Sequence, residues 1–272
     1  MPCASATMTV WLSAWLVGTA APDDVLDALE RWGEGHDVVT ADDATAEATR
    51  LPGPNDLPTS VTFLLAALRR LRGSAETELS WSARLVLAAP GDVRGLPGPG
   101  EFSKATIEAG EGVLFTDIGY GLVPRSLGGG LMRWTLYPVP ESGPPEEYQP
   151  LGEAEYNLRT QVRDSASALT ALGVAQHRPG VREEIQAALR ARRHSLWPDG
   201  MPAQSLRVLQ QADEVDAILV AASVDDPGGA LSASAASARN DALRPLATAV
   251  RVARRAAVAD AVRALAGSAD RR

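Results

Sequence analysis

The sequence predicts an α+β protein: a small mixed-sheet α/β domain over residues 1–137, a Pro-rich linker over 138–150, and an all-α helical bundle over 151–272. Short apolar runs bounded by Gly and Pro, the mark of strands, are confined to the first half, whereas apolar residues of the second half recur at helical spacing. The linker between them carries five prolines and no apolar period. Charge changes at the same place. Residues 1–150 hold 10 Lys and Arg against 20 Asp and Glu, while residues 151–272 hold 16 Arg, no Lys and 14 acids. Two modules so differently built suggest a divided task, one holding a ligand and the other a partner.

Met1–Thr7 shows no structural pattern, and Cys3, the single cysteine, falls in it. Met8 opens the first amphipathic run and is an alternative start of translation. Trp11, Leu12, Trp15 and Leu16 follow at helical spacing, and Gly18 supplies a stop. Residues 8–21 end in small residues, as a signal peptide does. No Lys or Arg precedes Arg31, however, and the run is too short to span a bilayer, so a buried first helix is expected. Pro22-Asp23-Asp24 starts a second helix with its acids at the favourable end of the dipole. Val25, Leu26, Leu29 and Trp32 form its apolar face, and Gly33 and Gly35 end it. The helix pair invites a DNA-binding reading that a single cation, Arg31, does not support.

Residues 41–57 are polar and read as a long surface loop. Pro58-Thr59-Ser60 opens a third helix to about Arg72, with Val61, Leu64, Leu65 and Leu68 at i, i+3, i+4 and i+7. Arg69, Arg70 and Arg72 suit the dipole of its last turn. Leu85–Ala89 and Gly112–Thr116 read as buried strands, and Gly121–Pro124 as an edge strand because Pro124 has no N–H for a ladder. Leu131–Tyr137 alternates at period two, placing Met132, Trp134 and Leu136 on one face and Arg133, Thr135 and Tyr137 on the other.

Beyond the linker, Leu158, Val162, Leu169 and Leu172 mark one helix, and Val181, Ile185 and Leu189 a second after Pro179-Gly180. A third opens at Pro202, with Leu206, Leu209, Val215, Ile218, Leu219 and Ala222 facing inward. The last has Leu243, Leu246, Val250, Val258, Val262 and Leu265 as its seam and Pro245 as a kink. Four such helices suggest an up-down bundle.

Two sets of residues are candidates for function. The stretch Pro90–Gly100 lies between a strand and a helix beginning near Glu101, an arrangement that presents backbone N–H groups to a phosphate. Arg94, Gly98, Gly100, Ser103 and Lys104 are its candidate anion-binding residues. The match is poor, since neither Gly-Lys-Ser/Thr nor Gly-x-Gly-x-x-Gly is present, and an ordinary crossover loop is the stronger reading. On the bundle, Arg190, Arg192, Arg193 and His194 form a dense basic cluster, and Arg251, Arg254, Arg255 and Arg263 a stripe on the last helix. They are candidate partner-binding residues; the bland alternative is a solvated face.

Other chemistry lacks its residues. His36, His177 and His194 are scattered, each among loop-forming residues, and Cys3 stands alone, so no metal pattern, disulfide framework, nucleophile elbow or cofactor motif is present. A net charge of −8 opposes attraction to nucleic acid and to anionic membranes.

At Pro22–Leu29, Leu85–Gly98 and Ala109–Leu114 the chain resembles uncharacterised proteins of high-GC Gram-positive bacteria. The resemblance implies a cytosolic location and carries no activity and no functional residue. The expectation is a non-catalytic cytosolic interaction or regulatory protein, with the bundle as partner-binding module. The competing reading is an enzyme or sensor that binds a phosphorylated small molecule at the loop 90–104.

Overall fold

The computed structural model describes residues 3–73, 83–140, 148–171, 197–224 and 233–269. The chain divides into two compact units. One takes in Cys3–Glu147, Leu196–Pro202 and Val258–Arg272, and the other mainly Tyr148–Ser195 and Ala203–Ala257.

The first unit is built on one sheet. Its elements are α1 (Ala4–Leu16), α2 (Pro22–Glu30), β1 (Gly35–Thr40), α3 (Asp43–Thr49), β2 (Thr59–Ser60), α4 (Val61–Gly73), β3 (Arg84–Val86), α5 (Glu101–Ala109), β4 (Gly112–Phe115), β5 (Tyr120–Gly128) and β6 (Leu131–Pro138). The six strands lie in the order β2-β1-β6-β5-β4-β3. Only β1 and β6 run parallel; every other pair is antiparallel, so the sheet is mixed as expected.

The alternation of β6 buries Met132, Trp134 and Leu136 against α1, α2 and α4, whose Met8, Leu12, Trp15, Val25, Leu29, Leu64 and Leu68 complete the larger core. Each such fully buried apolar side chain contributes about 1.5–3 kcal/mol. A smaller cluster on Val86, Leu114 and Val123 is covered by Phe102, Ala105 and Ile107 of α5. Strand β4 feeds both clusters, Val113 and Phe115 one and Leu114 the other, which is why it reads as a continuous apolar run.

Several elements differ from the sequence expectation. The segment before Met8 is not a patternless tail: Cys3 is buried, and Ala4–Thr7 are the buried first turn of α1. Burial on all sides from Ala4 to Trp15 erases the amphipathic period that would have announced this turn. Cys3 offers no side-chain cap, and the Glu111 carboxylate accepts the Ser5 N–H at 2.7 Å in its place.

The surface loop expected over 41–57 contains α3, which buries Thr45 and Thr49. Asp42 caps it by accepting the Thr45 N–H at 2.7 Å. Thr59 and Ser60 are strand rather than helix, and Gly35 begins β1 instead of merely ending α2. Pro124 is not on an edge, because β5 lies between β4 and β6. The proline is tolerated because β4 begins at Gly112, opposite Val123, leaving no β4 residue beside Pro124.

The arginines of α4 do more than suit its dipole. Arg70 donates to the Thr49 carbonyl at the end of α3, and Arg72 to the Leu16 carbonyl at the end of α1. Arg69 sits 4.7 Å above the Trp15 ring.

The helical unit contains α6 (Leu151–Ala171), α7 (Ala203–Val224) and α8 (Ala233–Ala269), of which α8 belongs to this unit as far as Ala257. The helix expected after Pro179-Gly180 lies outside the described residues. Gln204 bonds Glu155 at 3.2 Å near the starts of α7 and α6. Arg239 donates to the Ala222 carbonyl and Arg254 pairs with Asp213, so α8 runs antiparallel to α7. Leu246, Val250, Val258, Val262 and Leu265 are buried as their spacing requires. Ile218 is a correction. It is 49% exposed, whereas Leu209 and Val215 are buried as expected, and Val208 and Ala212 join them on the inward face. Pro245 withholds an N–H from α8, and the hydroxyl of Ser165 on α6 donates to the nearby Ala242 carbonyl at 3.1 Å.

Gly121 on β5 is fixed by a close approach. A Cβ there would overlap the edge of the Phe102 ring, 2.9 Å from Cζ and nearer still to Cδ2 and Cε2. Gly121→Ala is expected to cost about 1–3 kcal/mol, as overpacking does. Phe102→Leu should relieve part of that loss, so a denaturant double-mutant cycle should give less than additive destabilisation.

Candidate functional site

The loop before α5 folds on itself. Ala89 and Asp92 exchange backbone hydrogen bonds at 3.0 and 2.8 Å, closing a tight turn with Gly91 at φ +82°. Arg94 then returns to Asp92 through a two-point contact, Nε to Oδ1 at 2.8 Å and Nη2 to Oδ2 at 2.9 Å. Gly98 takes φ +123°, and its carbonyl accepts the hydroxyl of the buried Ser103. Gly100 is the N-cap of α5, and its carbonyl accepts the Lys104 N–H at 3.1 Å. The Lys104 ammonium lies 2.6 Å from the Glu101 carboxylate, with both side chains about three-quarters exposed.

The five anion-site candidates are therefore gathered in one loop, but each charged or hydroxyl group in it has a partner from the loop itself. A phosphate would have to displace Asp92 and compete with Glu101. The surroundings also depart from the crossover expectation: β3 and β4, on either side of α5, are antiparallel neighbours. That turn of the chain is not the parallel strand–helix–strand unit on which dinucleotide sites are built.

The arginines of the helical half separate. Arg190, Arg192 and Arg193, with His194, lie outside the described residues. Arg254 turns inward: its side chain is 5% exposed, 2.7 Å from Asp213 Oδ1 and 3.6 Å from Asp216 Oδ2 on α7. Arg251 is partly buried and donates to the Thr248 hydroxyl at 3.0 Å. Arg255 is likewise partly buried, and Arg263 lies exposed 3.7 Å from Asp260. A one-dimensional spacing cannot separate inward from outward when a helix is buried over most of its circumference. Large apolar side chains stand exposed on the same unit: Tyr156 on α6 and Ile218 and Val220 on α7.

The sequence offers no role for His36, one of three scattered histidines. It lies on β1, where its Nε2 is 2.9 Å from the Leu29 carbonyl and 3.1 Å from that of Gly33, and its Nδ1 is 3.1 Å from Trp134 Nε1. Burial holds its pKa below the ordinary value of 6.5, with the two carbonyls pulling the other way. Among the described residues no group of three or more His, Cys, Asp and Glu is placed to hold a metal ion. No helix there is long and apolar enough to cross a membrane.

Two family models match the chain, the Rv1486c-like protein N-terminal domain over residues 5–148 and the Rv1486c-like protein C-terminal domain over residues 152–255. Similar full-length proteins include Uncharacterized protein Rv1486c of Mycobacterium tuberculosis (strain ATCC 25618 / H37Rv), 37% identical over 283 residues that span 95% of this chain and 96% of that one. Uncharacterized protein ML1804 of Mycobacterium leprae (strain TN) is 33% identical over 289 residues, 95% of this chain and 97% of its own. The likeness to proteins of high-GC Gram-positive bacteria seen at Pro22–Leu29 thus extends through both halves. No solved structure matches the chain.

The inward position of Arg254 has a measurable consequence. Arg254→Ala removes a buried cation 2.7 Å from Asp213 and 3.6 Å from the mostly buried Asp216, and breaking a buried pair costs about 3–5 kcal/mol. Asp213→Asn should cost less, because Asp213 is more than a third exposed and solvent screens it. Urea unfolding of the two variants checks the ranking.

Proposed function

The chain belongs to the Rv1486c-like family, and we propose that it is a non-catalytic interaction or regulatory protein of the cytoplasm whose helical unit binds another protein. The observation that supports this most is the exposure of Tyr156, Ile218 and Val220 at 65%, 49% and 40% on helices whose other apolar residues are largely turned inward. Aromatic and β-branched side chains left in water lose solvation cost when a partner covers them, and Tyr is enriched where proteins meet. The partly buried Arg251 and Arg255 belong to the same unit and supply charge for its rim.

The loop 90–104 supports the competing phosphate reading less well, since Arg94 and Lys104 each already face a carboxylate. Two measurements separate the readings. Site-specific photo-crosslinkers at positions 156 and 218, used in cells of the source organism, should trap a defined protein, and an Ile218→Asp variant with unchanged melting should lose it. A thermal-shift screen against nucleotides, sugar phosphates and coenzyme A derivatives should stay flat. A ligand at 100 times its dissociation constant adds about 2.7 kcal/mol, roughly 2–4 °C per kcal/mol for a chain of this length. A rise of that size that disappears in Lys104→Ala would replace the protein-partner reading with the phosphate one.

A further inference from the structure

His36 occupies a position in which both ring nitrogens are committed. On β1 it shares a sheet face with Val38, and across the parallel pair Val38 stands opposite Trp134, which reaches back diagonally to His36. An indole N–H only donates, so Nδ1 of His36 must be an unprotonated acceptor. The Leu29 and Gly33 carbonyls only accept, so Nε2 must carry the hydrogen. Three partners thus select one neutral tautomer. Leu29 belongs to the last turn of α2 and Gly33 to the turn that follows, while Trp134 is fully buried in the middle of the sheet. The imidazole is the link between that turn and the sheet.

We propose that His36 is a pH-sensitive latch: a proton taken up from solvent at Nδ1 turns the acceptor into a donor and breaks the bond from Trp134, so that the α2–β1 turn, still held by Nε2–H, loses its tie to β6. The charged groups of the elements around it do not oppose this. Glu30, Arg31 and Glu34 flank the turn, Arg31 lying 4.9 Å above Trp32. Asp37 and Arg133 pair with each other at 3.2 Å from adjacent strand positions that point to the opposite face of the sheet. Arg69, Arg70 and Arg72 of α4 are held by Trp15, Thr49 and Leu16. None of these is a cause of the His36 shift, which comes from burial against the two carbonyls. Because the folded-state pKa lies below the unfolded value, the unfolded chain takes the proton first. The linked stability is complete above about pH 6.5 and is lost as the pH falls from there through the folded pKa.

The test is a multiple-bond proton–nitrogen spectrum of the full chain's imidazoles between about pH 8 and pH 5, read together with the backbone amides of residues 25–34. His36→Gln removes and thereby assigns the His36 signals among those of the three histidines. The expected result is an Nε2–H tautomer, a midpoint below about 6.5, and turn amides that shift or exchange with that same midpoint. Trp134→Phe, which keeps a ring and deletes the donor, should raise the midpoint. An Nδ1–H tautomer, a midpoint at or above the ordinary value, or turn amides indifferent to it would overturn the latch. The wild-type titration decides the matter even where a variant fails to fold.

Discussion

A buried indole N–H is costly to leave unpaired, and the acceptor that Trp134 finds ties the centre of the sheet to the helix layer. Trp134 sits on β6, a strand with a parallel partner, β1, on one side and an antiparallel partner, β5, on the other, and its ring is wholly enclosed. The acceptor it needs is an imidazole nitrogen, which exists only while His36 is neutral. His36 in turn can be neutral and satisfied only because the end of α2 offers two carbonyls at hydrogen-bond distance. One polar chain therefore runs from the helix layer through β1 into β6. The apolar cluster of α1, α2 and α4 packs around it, and that packing would be much less specific about register without it.

What the sequence discloses depends on whether an element has two different faces. Helix α4 and strand β6 do, and their spacing located both and named their buried residues. The first turn of α1 has no exposed face, α3 is polar with two buried threonines, and β1 offers little beyond Val38 and Val39. Each lacks the contrast on which periodicity depends. The candidate sites show the same division. The position of Lys104 in the first turn of α5 was legible, whereas its pairing with Glu101 and the return of Arg94 to Asp92 are decided by loop geometry. Arg254 looked like one member of an exposed stripe because its acids, Asp213 and Asp216, lie about forty residues away in the chain. Nothing local marks it as buried.

Both units spend cations inside the fold. In the sheet unit the cations are spent on the protein itself, capping carbonyls at the ends of α1 and α3, stacking on tryptophans and pairing with neighbouring acids. In the helical unit Arg254 does the same, and large apolar side chains face water in both units, Leu57 and Phe63 in the first and Tyr156 and Ile218 in the second.

The enclosure of α1 also constrains how the chain is made. Its thirteen residues precede in the chain the strands they pack against, β3, β4 and β5, the last of which ends at Gly128. At about 5–20 residues per second, the ribosome needs roughly 6 to 22 s after Leu16 before that platform exists. Throughout that interval Trp11, Leu12 and Trp15 belong to a nascent segment whose sheet-facing side is uncovered and whose first available partner is α2. A helix whose every side is destined for the interior is an aggregation hazard until its platform arrives, and its shelter in the meantime falls to the chaperones that meet nascent chains.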